Sequence, residues 1–141
     1  VPPSDPPSPT EVCPGCGAVL VATGRGAAHP GASASCARLF EVTLRGLRED
    51  GAHPATATVV ALADAAYDAQ HPVAGDDGRL RAALDHLEVP DDAGADRTPA
   101  VWRTTIADVA ADLDVIDLPV LVESWARAVR EDWAAAAARP E

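Results

Sequence analysis

The sequence predicts an all-α domain of about five helices with a small N-terminal metal-knuckle and β-turn segment. Three observations carry this. Apolar residues recur at three- and four-residue steps over most of the chain after residue 35, the period of a helix with one buried face. Proline, glycine and aspartate punctuate those stretches where helices start and stop. Ahead of them lies Cys13-Pro14-Gly15-Cys16-Gly17, a tight-turn pattern that aims two sulfurs at one point, with a third cysteine at Cys36.

Residues 1–11 hold five prolines among Ser, Asp and Thr and read as a disordered or extended tail. Residues 12–139 read as one helical domain, with the knuckle in 12–36. Ala18 to Thr23 is β-prone and suits one strand of a small hairpin, and Gly24 to Ser35 is loop. The first helix runs from about Ser35 to Asp50 with Leu39, Phe40, Leu44 and Leu47 on one face. The second runs from about Thr56 to Gln70 on a stripe of Val59, Leu62, Ala63, Ala66 and Tyr67, and Pro72 stops it. The third spans about Arg79 to Glu88. After an acidic loop over 90–101, Thr105 with Asp108 forms a capping-box variant for the fourth, whose Ile106, Val109, Ala110 and Leu113 face inward. Asp117 and Pro119 start the fifth, on which Val122, Trp125, Ala126, Val129 and Trp133 repeat at helical spacing before the helix fades in Ala134 to Ala138.

Composition narrows the function classes. A net charge of -11 repels phosphate backbones, and no basic patch offsets it, so nucleic-acid binding is not expected. No apolar run approaches the roughly 20 residues that cross a bilayer, and Val1 to Asp5 lack the basic and apolar regions of a signal peptide, so no membrane partner is expected. An odd cysteine count with a C-x-x-C pair fits a reduced, cytoplasmic setting better than a disulfide framework. The absence of Lys and Asn beside abundant Ala, Arg, Asp, Gly and Pro suggests a GC-rich bacterial genome.

Soft, anionic thiolates suit zinc at about 2.3 Å in a tetrahedron. Cys36 opens a helix, where the dipole favours a thiolate. Three sulfurs leave a fourth ligand to find. His71, ending a helix before a proline, heads the candidates. His29 in the loop before Cys36 comes second, mid-helix His86 third, and His53 lies in an exposed turn. A C-x-x-C pair can also be a redox pair and Cys36 an inert buried thiol, but the third cysteine favours a metal. Tyr67, Asp68, Gln70 and His71 share one turn and could line a polar pocket with the metal, but Tyr67 as core and Asp68 as a solvated carboxylate is the favoured reading. Trp125 and Trp133 read as core, and Trp102 as a cap on it or the lining of a groove. Asp108, Asp112, Asp114 and Asp117 read as helix caps or a solvated face.

The ordered set Cys13-Pro14-Gly15-Cys16-Gly17, Cys36, Tyr67 with Gln70-His71-Pro72, His86-Leu87, and Trp125-Ala126 with Val129 and Trp133 resembles an uncharacterised bacterial family, a domain of unknown function. The resemblance implies that Cys13, Cys16, Cys36 and His71 belong together, with His29 and His86 near them. Ala37 stands where the family has an aromatic and Arg130 where it has a tryptophan. It implies no activity.

Two functions follow as expectations. One is a binding or accessory module, for a protein or small molecule, stapled by a structural zinc site of three cysteines and one histidine. The other is a small zinc-dependent lyase, cyclase or hydrolase with Asp68, Tyr67 or His86 as acid and base. The fourth metal position separates them: a protein ligand favours the module, and water favours the enzyme.

Overall fold

A computed structural model describes residues 9–22, 29–73, 75–89 and 98–137. The proline-rich stretch up to residue 8 and most of the acidic loop lie outside the described residues.

Among the described residues there are five helices and one two-stranded sheet. Strands β1 (Thr10–Val12) and β2 (Val19–Val21) pair antiparallel, with Val12 opposite Val19. Helices α1 (Ala34–Glu49), α2 (Pro54–Gln70), α3 (Asp77–His86), α4 (Ile106–Ala111) and α5 (Leu118–Ala137) follow. Helix α2 is central and packs against α1, α3 and α5; α4 fills in against α1 and α5. Alanines make that centre possible. Ala63, Ala66 and Ala69 are fully buried on α2, so neighbouring helices approach its backbone closely. Leu44 of α1, Leu84 of α3, Ile106 of α4 and Val122, Trp125, Val129 and Trp133 of α5 complete the core.

Some boundaries differ from the sequence reading, each for a local reason. Strand β1 takes Thr10 and Glu11 out of the tail, because their backbone pairs with β2. Helix α2 starts at Pro54, with His53 as N-cap, since a proline in the first turn loses no hydrogen bond it could have made. Helix α3 starts at Asp77, and the Asp76 carboxylate accepts from the Arg79 N–H. Its end is a Schellman turn: the Val89 N–H donates to Leu84 C=O at 2.9 Å and the Glu88 N–H to Asp85 C=O at 3.1 Å, which puts Glu88 in the left-handed region at φ 60°. Helix α4 has the full capping box of Thr105 and Asp108 but stops at Ala111. Leu113 therefore does not face the core and is 39% exposed. The turn after α4 takes over the backbone: the Val115 and Ile116 N–H groups both donate to Asp112 C=O.

The C-terminal end of α2 is held by the two tryptophans of α5. The Trp133 indole N–H donates to Ala69 C=O at 3.0 Å, and the Trp125 indole N–H to Gln70 Oε1 at 3.0 Å. The Gln70 amide, wholly buried, donates in turn to Thr104 C=O at 2.6 Å. Replacing Gln70 with leucine would strand a buried indole N–H and a backbone carbonyl. The expected loss is about 2–4 kcal/mol in chemical denaturation, since each stranded group costs roughly 1–3 kcal/mol. A midpoint equal to wild type would show that water reaches both groups.

Candidate metal centre

The knuckle is the end of the β1–β2 hairpin. The Cys13 N–H donates to Ala18 C=O and the Gly17 N–H to Cys13 C=O, both at 2.9 Å, closing a turn with Cys13 and Cys16 on the same side. Gly17 has φ +78°, a conformation that favours glycine. Cys36 arrives from α1, where it is the third residue. Ser33 is the N-cap and accepts from the Cys36 N–H at 3.1 Å. The next orphan donor, the Ser35 N–H, is taken at 2.9 Å by Glu11 of β1, which joins the hairpin to the helix. Hydrogen bonds from the Ser35 side chain and backbone hold the Glu11 carboxyl below the usual carboxylate range.

His71 caps the C-terminus of α2. Its Nδ1 lies 2.6 Å from the Tyr67 carbonyl oxygen, one helical turn back. A carbonyl only accepts, so Nδ1 carries a proton and Nε2 is the nitrogen that faces the sulfurs. This is the arrangement by which a ligating imidazole is usually oriented. The residue lies against backbone on both sides. A Cβ on Gly15 would meet His71 Cδ2 at 2.5 Å, and a Cβ on Gly31 would strike the His71 carbonyl. Trp102, from the segment before α4, donates its indole N–H to Gly15 C=O at 3.0 Å and holds the turn down on the ring.

Cys13, Cys16, Cys36 and His71 thus converge in one buried cluster, their ligand atoms all within 4.8 Å of one another. Cys16 Sγ is 3.8 Å from Cys36 Sγ, and Cys36 Sγ is 3.5 Å from His71 Nε2. The sulfur separation is far beyond a disulfide bond, and all three cysteines are free. A tetrahedron with sulfur arms of about 2.3 Å and a nitrogen arm of about 2.05 Å has edges of about 3.8 Å between sulfurs and about 3.5 Å from sulfur to nitrogen. The two separations match such edges, and the donor set could hold a metal ion.

The four groups are also coupled electrostatically. Hydrogen bonds from Cys16 and Cys36 push the Cys13 thiol well down, whereas the neighbouring Cys13 and Cys16 push Cys36 well up. The two sulfurs are thus driven in opposite directions, Cys13 toward the thiolate and Cys36 toward the thiol. Burial pulls His71 down, but hydrogen bonding to Cys13 and Cys16 and to the Tyr67 carbonyl outweighs it and lifts the imidazole to about 9.

The other sequence candidates lie outside the cluster. His29 stands beside it, with its ring centroid 5.7 Å from that of His71. Both its nitrogens are taken: Nδ1 accepts from the Gly31 N–H at 3.0 Å, and Nε2 donates to Asp68 Oδ1 at 2.9 Å. His86 is exposed in a groove with Leu62, Glu88 and Arg127, and His53 is an exposed N-cap whose side chain makes no cap bond. Tyr67 and Gln70 are buried supports of the site, while Asp68 is half-buried and pairs with His29. The Tyr67 hydroxyl donates to Cys36 Sγ at 3.3 Å, and burial, then that contact, push its pKa far above the ordinary phenol value. Tyr67→Phe should leave the fold intact and weaken metal binding about 10–100-fold in chelator competition, the usual cost of losing an outer hydrogen bond to a ligand. An unchanged affinity would reduce Tyr67 to core packing.

Glu11, Gly15, Gly31 and Trp102 were not singled out as site residues by sequence reasoning. Glycines carry no chemistry of their own, and Glu11 falls in a stretch that reads as tail. The one signal was Trp102 itself, because a buried indole N–H must find an acceptor.

The chain belongs to a family of unknown function (DUF5946), whose profile matches residues 11–98 and 88–134. No curated protein and no solved structure matches it.

Proposed function

We propose that this family member is a zinc-stapled helical binding or accessory module, in which Cys13, Cys16, Cys36 and His71 hold one structural Zn2+. The agreement of the Cys16–Cys36 and Cys36–His71 separations with two edges of a tetrahedral site of three sulfurs and one nitrogen carries this reading. Zinc suits three thiolates and an imidazole, and it needs no redox partner. All four positions are protein side chains, none more than 5% exposed, so the coordination sphere offers no place to water or substrate. That favours a staple over a Lewis-acid centre. The placement of the four ligands supports it too. They come from the hairpin, the start of α1 and the end of α2, so one ion would join three parts of a small fold whose sheet has only two short strands.

The test is X-ray absorption at the zinc edge on purified protein, together with metal content. The reading requires one equivalent of zinc with three sulfurs at about 2.3 Å and one nitrogen at about 2.0 Å. An exchangeable water oxygen in place of the nitrogen would overturn it in favour of a catalytic centre.

A further inference from the structure

Much of the described surface of this chain is charged or small-chained, and the turn between α4 and α5 is an exception. Leu113 is 39% exposed, Val115 81%, Ile116 40% and Val120 55%, so four large aliphatic side chains face solvent within eight residues. Large exposed apolar side chains gathered in one short segment are a feature of interaction sites in soluble proteins. The turn is also built to hold its shape. Asp112 C=O accepts from the Val115 N–H at 3.1 Å and the Ile116 N–H at 3.0 Å, and the Leu121 N–H donates to Asp117 C=O as α5 begins. A preformed knob loses little conformational entropy on binding.

Its charge says what can cover it. From residue 104 to 126 the chain carries five acids and no arginine, and Asp112, Asp114 and Asp117 alternate with the aliphatic residues. Such a surface repels anionic lipid and nucleic acid, and two copies of the knob repel each other. What complements it is apolar surface with a cationic rim.

We propose that the α4–α5 turn docks into an apolar cleft, rimmed by arginine or lysine, on a partner protein of another sequence. This deepens the binding-module reading and rests on it, but uses no atom of the metal centre.

The test places the photoreactive residue p-benzoylphenylalanine at Val115 in the full chain, expressed in cells of its source organism, with the same residue at Arg45 on α1 as control. The expected result is a dominant protein adduct from position 115 and little from position 45. The cross-linked partner peptide should lie on an apolar surface flanked by Lys or Arg. The adduct should fall at least about tenfold in the triple variant Asp112→Asn, Asp114→Asn, Asp117→Asn, which keeps side chains of the same shape able to cap α5. Absence of an adduct, an adduct between two copies, one to lipid or nucleic acid, or one indifferent to the triple substitution would each overturn the proposal. Zinc content of the same preparations reports on the metal centre separately, so either reading can fall alone.

Discussion

Cys36→Ala should lose its metal and, with it, on the order of 4 kcal/mol of stability. Cys36 is the most connected ligand. Its sulfur lies 3.8 Å from Cys16 Sγ and 3.5 Å from His71 Nε2, and it accepts from the Tyr67 hydroxyl. Without it three donors remain, and the opened position must be filled by water in a site with no exposed ligand. At free zinc a thousandfold above Kd the bound ion contributes about 4 kcal/mol to the folded state, and for a chain of this length that is on the order of 15 °C in Tm. Truncating a buried thiol also leaves a small cavity, so a fall in Tm alone would not identify the cause. The decisive comparison is chelated wild type. Stripped of metal, it should melt close to the variant, and only wild type should recover when zinc is restored. A variant that keeps one equivalent of zinc, or a wild type whose melting ignores the chelator, would refute the staple.

The helices were readable because their information is local. The 3.6-residue period, the capping box at Thr105 and Asp108, and Pro72 behind α2 each act within a turn or two. The end of α4 was not, because Leu113 keeps the helical period and only the competing turn at Asp112 removes it. Likewise Cys13 and Cys16 form a pair on spacing alone, and Cys36 adds a third sulfur. Choosing among histidines needed tertiary contacts. His29 is as close to Cys36 in sequence as a ligand could wish, yet Gly31 and Asp68 consume both its nitrogens. His71 is set by a feature of helix geometry, the Tyr67 carbonyl one turn before it, which leaves Nε2 free to face the sulfurs.

The tryptophans show how packing and chemistry are coupled in this fold. In the sequence Trp125 and Trp133 read as core and Trp102 as a cap on it or a groove lining. In the fold each spends its N–H on the metal centre's surroundings: Trp133 on Ala69, Trp125 on Gln70, and Trp102 on Gly15. Helix α5 and the segment before α4 thereby fix the last turn of α2 and the knuckle at once. Residues remote in sequence from the cysteines brace the elements that carry the four clustered side chains.

Metal affinity should rise steeply with pH, by at least about 100-fold per unit between pH 6.5 and 8.5. In the metal-free fold Cys13 is pushed toward the thiolate, Cys36 is pushed toward the thiol by Cys13 and Cys16, and His71 is lifted to about 9. Ligation requires Cys36 as thiolate and His71 neutral at Nε2, so at least two protons leave, and each contributes about tenfold per pH unit. The stability of the metal-free fold should behave differently. His71 is raised above its ordinary 6.5, so its contribution is full below 6.5 and is lost as pH climbs toward 9. Cys13 is depressed below its ordinary 9.0, so its contribution is full above 9 and is lost as pH falls. Between those values the folded chain holds the His71 proton and the unfolded chain the Cys13 proton, and the two slopes cancel. Chelator competition at pH 6.5, 7.5 and 8.5, with denaturant unfolding of metal-free protein at the same values, reads both quantities. A steep affinity curve over a level stability curve is the expected pair. An affinity that changes by less than about tenfold per unit would mean that Cys36 and His71 are already deprotonated before the ion arrives, and would remove their raised pKa values from the description of the site.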